Sequence, residues 1–296
     1  MKLKSFINFI KLDKNLLFAF ILLSIIFVMI LIGAFSSYDP SQYFLLPKDK
    51  PPTLTHLMGT TSLGQDTFLT LTKALPTSLL IGLISAFFSR ILAIFLGTFG
   101  GYRGGKTDGI ISVVAESFIV IPRLPLLILI SFTFRQQLNP LSMGFILAIL
   151  DWGWPSKRYR AQMLSLRERE FTQNAKFSGM GDIEIIIKEY MPFLIPYIIV
   201  DIISGIIWAI GMETTLSVLG LFDLEIPTIG TMIYWANYYN AMYRGLWWWW
   251  WWVFPVIFLI IAIFGLYLLS VSLQNYLDPT TRIQRIKVSK KQAVKV

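Results

Sequence analysis

Six charged side chains interrupt otherwise apolar stretches of this sequence, and they are the first candidates for a functional site. They are Arg90, Glu116, Arg123, Asp151, Asp201 and Glu213. A charge is costly inside a membrane, so it usually faces a bundle interior or a water-filled pathway, where it can contact substrate or relay protons. It can equally pair with another charge and fix helix packing. On a helix, the spacing of Asp201 and Glu213 turns them about 120° away from each other, so we expect them to belong to different sites.

The segment GGYRGGKT, residues 100–107, fits the phosphate-loop pattern G-x-x-x-x-G-K-[ST]. That loop binds phosphate because it joins a buried strand to a helix, which makes backbone N–H groups converge. Here apolar helical segments lie on both sides, so we expect a glycine-rich turn without bound ATP. No Ser–His–Asp or paired-carboxylate arrangement has recognisable spacing. We therefore predict a protein that is not an enzyme and has no ATPase site of its own.

Composition excludes several kinds of metal and redox chemistry. The sequence contains no cysteine and a single histidine, His56. Disulfides, thiolate sites and histidine-rich metal sites are therefore excluded. We expect no metal and no cofactor to be bound by this chain.

Long apolar segments hold the candidate charges. Of the 296 residues, 55% are hydrophobic and 15% are charged, whereas a soluble domain carries roughly 25% charged residues. A helix needs about 20 mostly apolar residues to span a bilayer. We therefore predict an all-α integral membrane domain over residues 15–280. Its six transmembrane helices are expected at about residues 16–35, 77–100, 110–134, 141–163, 193–219 and 247–270.

Basic residues lie mostly on one of the two sides that six membrane helices define. They concentrate in the N-terminal segment 1–14, in the connections after the second and fourth helices, and in the tail 281–296. Because Lys and Arg accumulate in cytoplasmic segments, we expect both termini to lie in the cytoplasm. The net charge of +9 is then a signal of topology, and no nucleic-acid partner is predicted.

The connection between the fourth and fifth helices is polar, charged and rich in helix formers. It reads RAQMLSLREREFTQNAKFSGMGDIEIIIKEYMP at residues 160–192. Gly179 and Gly181 interrupt it, so the pattern predicts a helix, a turn and a second helix. A connection of this length with structure of its own usually has a function. We interpret it either as a solvated connector or as a docking element for a cytoplasmic partner, with the docking loop at about residues 165–192.

This connection resembles the EAA loop of the membrane subunits of ABC importers. The family pattern is E-A-A, then a glycine, then L-P, and here it falls on Gln173-Asn174-Ala175, Gly179 and Met191-Pro192. The sequence departs from the pattern at Gln173, Asn174 and Met191. The resemblance implies a coupling helix that docks on an ATPase subunit. The residues assigned to this ATPase-coupling loop are Phe171, Gln173, Asn174, Ala175, Phe177, Gly179, Asp182 and Pro192.

The chain from Asp39 to Pro279 resembles the second membrane subunit of oligopeptide and dipeptide importers. The first outer connection carries HLMGTTSLGQD at residues 56–66, where the family has H-L-x-G-T-D-x-x-G-R-D, so Thr61 and Gln65 replace an Asp and an Arg. Further matching segments are YDP at 38–40, PTSLLIGL at 76–83, WPSKRYRAQMLSLRERE at 154–170, ETTLSVLGL at 213–221 and LDP at 277–279.

The resemblance implies a permease subunit that crosses the cell membrane of a prokaryote several times and forms half of a peptide pathway. Its implied partners are a homologous permease subunit in a heterodimer, two cytoplasmic ATPase subunits that bind ATP and Mg, an extracytoplasmic solute-binding protein, and the lipid bilayer. Two alternatives stay open. The same architecture would import oligosaccharides, or an ion-coupled secondary transporter would use the intramembrane carboxylates as a relay.

Six consecutive tryptophans begin the sixth expected helix. Since six residues cover the whole circumference of a helix, they cannot all face one core. Trp is enriched at membrane interfaces, so we interpret them as an aromatic anchor at the outer interface. One or two of them are expected to face the bundle, where an indole would stack on substrate. These residues are Trp247, Trp248, Trp249, Trp250, Trp251 and Trp252.

Overall fold

The computed structural model describes residues 13–134, 137–241 and 249–277, and it is built from helices in all three ranges. The α-helices are α1 Lys14–Phe35, α2 Thr67–Arg103, α3 Gly105–Val120, α4 Arg123–Phe134, α5 Pro140–Asp151, α6 Gly153–Arg167, α7 Glu170–Phe177, α8 Asp182–Ile185, α9 Met191–Val218, α10 Ile229–Tyr238 and α11 Trp249–Leu277. A π-helical turn, Ile186–Tyr190, joins α8 to α9, so that Asp182–Val218 runs as one helix. The predicted all-α fold is confirmed for the described part of the chain.

Four helices are long and apolar enough to cross a membrane: α1, α2, α8 together with α9, and α11. α3 and α4 are a further candidate, because they meet the same criterion as a pair bent by 75°. α5 is apolar but has only 12 residues. The described residues thus contain four helices, or five with the bent pair, that can span a bilayer by length and composition. The number of six transmembrane helices stays a prediction.

The sequence predicts a single helix over residues 110–134, and this prediction is wrong. It breaks at Ile121 and Pro122, between α3 and α4. A proline disfavours helical backbone at the residue before it, and Ile121 accordingly has an extended ψ of 124°. The break bends the pair by 75° and places Arg123 within reach of Asp151, at the end of α5.

The segment 141–163 is also divided, into α5 and α6. α5 begins with a capping box, in which the side chains of Asn139 and Ser142 each accept the backbone N–H of the other residue. The helix ends at Asp151, because Pro155 lacks the N–H that would bond to the Asp151 carbonyl group. Trp152 separates α5 from α6, which continues as a more polar helix.

α2 is the central helix of the fold and has 37 residues. It starts at Thr67, before the expected span 77–100, because the side chain of Asp66 caps a backbone N–H of its first turn. α5, α6 and α9 all pack against it. The contact with α6 is close: an added Cβ at Gly97 would lie 2.3 Å from the carbonyl oxygen of Ser156.

α1 and α11 pack against each other beside this centre, with α1 also contacting α2 and α11 also contacting α9. The short helix α10, which the sequence analysis does not predict, packs between α9 and α11 and touches α2. It begins with a second capping box, formed by Thr228 and Thr231. The apolar core between α1, α2, α10 and α11 includes Ile26, Leu75 and Phe258.

Candidate functional site

Five charged side chains from five helices meet in a buried cluster, which we call the Arg90 cluster. Its members are Arg90 on α2, Arg123 on α4, Asp151 on α5, Arg158 on α6 and Asp201 on α9. The Arg90 guanidinium joins the two carboxylates. Its Nη1 donates to Oδ2 of Asp151, and its Nε donates to Oδ2 of Asp201 at 3.0 Å. All three of these side chains are buried.

Every carboxylate oxygen of the Arg90 cluster has a hydrogen-bond donor. Oδ1 of Asp151 accepts from Nη1 of Arg123 at 3.0 Å. Asp201 accepts from Nη2 of Arg158 at 2.5 Å and from the hydroxyl group of Tyr159 at 3.1 Å. A buried charge is tolerated only when it is paired and hydrogen-bonded. The cluster meets that condition by combining side chains that are far apart in the sequence.

Gly205 on α9 provides the space for the Arg90 guanidinium. A Cβ added at Gly205 would lie 2.6 Å from Cζ of Arg90 and 2.8 and 2.9 Å from its two terminal nitrogens. Carbon atoms in favourable contact are about 3.5–4.0 Å apart. Only glycine therefore lets α9 lie directly against this guanidinium.

Glu213 lies apart from the Arg90 cluster and is surrounded by hydroxyl groups. It is fully buried, and its carboxylate accepts from Oγ of Ser78 at 3.2 Å and from Oγ of Ser217 at 2.7 Å. Oγ of Ser78 also accepts the N–H of Ile229, the first residue of α10, at 3.1 Å. Glu213 and its hydroxyl partners thus connect α2, α9 and α10, and Glu213 shares no contact with Asp201.

Glu116 is the one exposed member of the four candidate carboxylates. Its side chain is 53% exposed and pairs with Lys157 at 2.8 Å. It therefore does not face the interior of the helices of this chain, and its role in the pathway stays a prediction. The structure brings Asp151 and Asp201 together, and it places Glu116 and Glu213 elsewhere.

The polar connection after α6 folds as α7, a turn and α8, which we call the α7–α8 hairpin (residues 170–190). This helix, turn and helix is the arrangement that the sequence predicts. Gly179 lies at the turn with φ of +79°, a conformation that glycine adopts without strain. The turn is closed by the N–H of Met180, which donates to the carbonyl oxygen of Ala175 at 3.2 Å.

One side of the hairpin is packed and the other is open. Ala175 is buried, and the ring of Phe171 stacks on Phe193 with centroids 5.6 Å apart. Asp182 accepts from the hydroxyl group of Tyr102, at the end of α2, at 3.1 Å. The remaining residues assigned to the loop are exposed: Gln173, Asn174, Phe177 and Pro192.

A small apolar core joins the hairpin to the adjacent ends of α2 and α6. It includes Tyr102 on α2, Leu166 on α6 and Tyr190 after α8. The hydroxyl group of Tyr190 donates to Oγ1 of Thr172 at 2.8 Å, and that hydroxyl donates to the carbonyl oxygen of Leu166 at 3.0 Å. The hairpin is therefore attached to α6 by both apolar packing and hydrogen bonds.

The GGYRGGKT segment is a junction between two helices. α2 ends at Arg103, and α3 begins at Gly105. Gly104 and Gly105 have φ of +68° and +60°, which turns the chain. This is the glycine-rich turn that the sequence analysis expects. Lys106 is exposed in the first turn of α3.

Four of the six consecutive tryptophans are described, and Trp247 and Trp248 lie outside the described residues. Trp250 is 3% exposed and Trp251 is 2% exposed, whereas Trp249 is 44% exposed. Trp250 and Trp251 therefore pack inside the protein, in agreement with the expectation that one or two of the six rings face the bundle, whereas the anchoring role of the others stays a prediction. Trp252 is half-buried against the core between α1, α2, α10 and α11.

The segment between α1 and α2 covers Trp250. The indole Nε1 of Trp250 donates to the carbonyl oxygen of Thr60 at 3.2 Å. At Gly59, an added Cβ would lie 2.6 Å from that nitrogen, so the chain passes directly over the ring. The start of α11 is thus held by a segment that lies far from it in the sequence.

Asp66 organises the same segment next to the start of α2. Oδ2 of Asp66 lies 2.7 Å from Nδ1 of His56, and its backbone N–H donates to the hydroxyl oxygen of Tyr38 at 3.0 Å. Burial raises the pKa of Tyr38, so this hydroxyl group stays protonated. Thr61 and Gln65, the two departures from the family pattern, are adjacent: Oγ1 of Thr61 accepts the N–H of Gln65 at 3.2 Å.

Comparison with known proteins matches residues 91–283 to a family described as the binding-protein-dependent transport system inner membrane component. The matched region includes the α7–α8 hairpin and most of the Arg90 cluster. The chain belongs to this family. It is therefore an inner membrane component of a binding-protein-dependent transport system, and it has several helices that are long and apolar enough to cross that membrane.

Individual relatives of this inner membrane component are permease proteins of transport systems. It is 30% identical over 251 residues to the oligopeptide transport system permease protein OppC of Mycobacterium tuberculosis, covering 84% of each chain. It is 29% identical to the OppC protein of Bacillus subtilis, covering 88% of this chain and 84% of the relative. It is 27% identical to the dipeptide transport system permease protein DppC of Bacillus subtilis, covering 92% of this chain and 84% of the relative.

The sequence analysis of this inner membrane component misses two contributors to the Arg90 cluster. Arg158 and Tyr159 lie in the matching segment WPSKRYRAQMLSLRERE, but nothing in that segment indicates their contact with Asp201. Charge balance does not reveal them either, because Arg90 and Arg123 already balance the two aspartates and Tyr159 is uncharged.

Proposed function

We propose that this chain is a permease subunit of an ATP-driven peptide importer and that it forms half of the translocation pathway. The observation that carries the proposal is the extent of its similarity to an oligopeptide permease, 30% identity over 84% of both chains. A likeness over this length covers most of the chain. It therefore supports a shared role for the whole chain.

The α7–α8 hairpin is the proposed docking element for an ATPase subunit. Its packed side is attached to α6, while Phe177 is 88% exposed and Ile183 is 67% exposed. Aromatic residues are enriched in protein interfaces and often anchor them. Gln173 and Asn174 lie exposed on the same helix as Phe177 and would contact the same partner.

Six membrane crossings are proposed from the described helices. Four are the long apolar helices, a fifth is the bent pair α3 and α4, and α5 with the start of α6 would supply the sixth. An even number of crossings places both termini on one side. The basic residues in segments 1–14 and 281–296 support the cytoplasm as that side.

The partners of this permease follow from the proposed role. A homologous permease subunit would complete the pathway as a heterodimer, and an extracytoplasmic solute-binding protein would deliver substrate. ATP and Mg would be bound by two cytoplasmic ATPase subunits. The helix junction at residues 100–107 has no strand before it, which supports the absence of an ATPase site in this chain.

The arrangement of the buried carboxylates favours ATP-driven over ion-coupled transport. Asp151 and Asp201 are each bonded to two arginines, and Glu213 lies in a separate hydroxyl-lined environment. Carboxylates that relay protons form a connected chain with each other. The names of the relatives favour peptides over oligosaccharides as substrate.

Reconstitution tests the proposal. The chain is placed in lipid vesicles with its partner permease, the ATPase subunits and the solute-binding protein, and uptake of labelled short peptides and of labelled oligosaccharides is measured. We expect peptide uptake that requires both ATP and the binding protein. Uptake driven by an ion gradient without ATP would contradict the transport class, and uptake of oligosaccharides alone would contradict the substrate.

The docking role is tested with matched phenylalanine variants. Phe177→Ala is expected to reduce co-purification of the ATPase subunits, because it removes the exposed aromatic anchor of the hairpin. Phe35→Ala is the control, since Phe35 at the end of α1 is 89% exposed and Phe177 is 88% exposed. Equal co-purification with both variants would contradict docking through Phe177.

A further inference from the structure

Arg158 is the one member of the Arg90 cluster that charge balance does not require, and it is also the most exposed member. Arg90 and Arg123 balance the charges of Asp151 and Asp201, so these four residues form a neutral set. Arg158 adds one positive charge, and its side chain is 48% exposed although that of its partner Asp201 is 1% exposed. Arg158 can therefore leave Asp201 for water without leaving a net charge buried.

Arg158 lies on the helix that carries the α7–α8 hairpin. At its far end α6 is attached to the hairpin through Leu166 and Thr172. Nearer its start, α6 touches α9 through side chains: Arg158 and Tyr159 donate to Asp201, and the ring of Tyr159 packs edge-on against Tyr197 with centroids 5.3 Å apart. A displacement of the hairpin would reach α9 through these contacts.

Arg90 holds the rest of the cluster together independently of α6. It bonds α2 to Asp151 on α5 and to Asp201 on α9. Among the described residues, no other side chain is hydrogen-bonded to both of these carboxylates. α2, α5 and α9 would therefore keep their relative positions while α6 changes its contact with α9.

We propose that the ion pair between Arg158 and Asp201 opens and closes during the transport cycle. Arg158 is then a positioning residue that links the movement of the hairpin to α9. This inference rests on the proposed docking role of the hairpin. With Arg158 bonded to Asp201, both Arg158 and Tyr159 join α6 to α9; with Arg158 in water, only Tyr159 does, and α9 follows the hairpin less closely.

The first experiment measures coupling in the complete transporter in lipid vesicles, as ATP hydrolysed per peptide imported. Arg158→Gln is expected to raise this ratio about tenfold, the factor that corresponds to one charge-assisted hydrogen bond. The amount of assembled complex is expected to be unchanged, because the other four charges remain balanced. Arg158→Lys retains the charge and is expected to restore most of the coupling.

Lys157→Gln is the matched control. Lys157 is adjacent in sequence and also pairs with a carboxylate, but its partner Glu116 is exposed and lies outside the Arg90 cluster. We expect the Lys157→Gln complex to hydrolyse as much ATP per imported peptide as the unmodified complex does. An unchanged ratio in Arg158→Gln would overturn the inference. Loss of assembly in Arg158→Gln would also overturn it, because Arg158 would then be needed for folding.

The second experiment measures the movement directly and needs no substrate. The sequence has no cysteine, so two introduced cysteines are the only labelling sites in this chain. We place them at two exposed positions, Gln162→Cys in α6 and Ile199→Cys in α9, and attach a spin label to each. The distance between the labels is measured in the assembled complex with and without bound nucleotide. We expect two distinct distances. In Arg158→Gln the shorter distance, which belongs to the bonded pair, should be absent both with and without nucleotide. One distance in both states would overturn the inference, whereas failure of ATP-dependent peptide uptake by the unmodified complex would contradict the proposed function instead.

Discussion

Replacing Gly205 by alanine is expected to destabilise the protein, although alanine favours a helix over glycine by about 1 kcal/mol. The added Cβ would lie 2.6 Å from Cζ of Arg90, and normal carbon contacts need about 3.5–4.0 Å. The guanidinium must therefore move by about 1 Å. It cannot do so without weakening its bonds to Asp151 and Asp201. Each such bond contributes about 1.5–3 kcal/mol. After subtraction of the helix gain, loss of one bond gives a net loss of about 0.5–2 kcal/mol, and loss of both gives about 2–5 kcal/mol.

Gly211→Ala separates this clash from the general effect of alanine. Gly211 lies on the same helix, and no neighbouring side chain or helix lies within 4 Å of its added Cβ. It is expected to leave stability unchanged or to raise it by up to about 1 kcal/mol. The free energy of unfolding of both variants is measured by denaturant titration of the purified protein in detergent. Equal values for the two variants would refute the reasoning that the Arg90 guanidinium is held in place by two carboxylates.

Three further predictions concern the tryptophans, the hairpin and the helix junction. Trp250→Leu is expected to cost about 1–3 kcal/mol in the same titration because it leaves a cavity, and Trp249→Leu about 0.5 kcal/mol or less; equal costs would contradict the burial of Trp250. Gly179→Val, at φ of +79°, is expected to uncouple ATP hydrolysis from peptide uptake at normal membrane levels, and normal coupling would count against the docking role. Lys106→Ala is expected to leave peptide uptake unchanged. If the purified chain bound ATP and this substitution removed the binding, residues 100–107 would be a phosphate site and not only a turn between two helices.

Local features of the fold could be predicted from the sequence, because they depend on neighbouring residues. The α7–α8 hairpin is one example, since Gly179 and Gly181 stop one helix and allow the next to start within a few residues. The breaks at Pro122 and after Asp151 also have local causes, but the apolar runs that contain them are long enough to suggest single spans. Hydropathy shows how long an apolar segment is. It does not show that a proline within the segment removes a backbone hydrogen bond and interrupts the helix.

The Arg90 cluster could not be predicted from the sequence, because its contacts are not local. Arg90 bonds to Asp151 and Asp201, which are 61 and 111 residues away. The same is true of Trp250, whose indole bonds to a carbonyl group 190 residues earlier. The composition of the tryptophan run indicates an interface, and only the position of the segment between α1 and α2 shows that the ring of Trp250 is covered.

The continuity of α2 restricts how chains of this kind can change in length. Ser78 meets Glu213 near one end of the helix, and Arg90 meets its carboxylates further along. Each residue of a helix advances about 1.5 Å and turns about 100°. One inserted or deleted residue between Ser78 and Arg90 would therefore rotate one of these contacts out of place, and no loop lies between them to absorb the change. Natural variants of this architecture should keep that interval constant in length while the connections outside α2 vary freely.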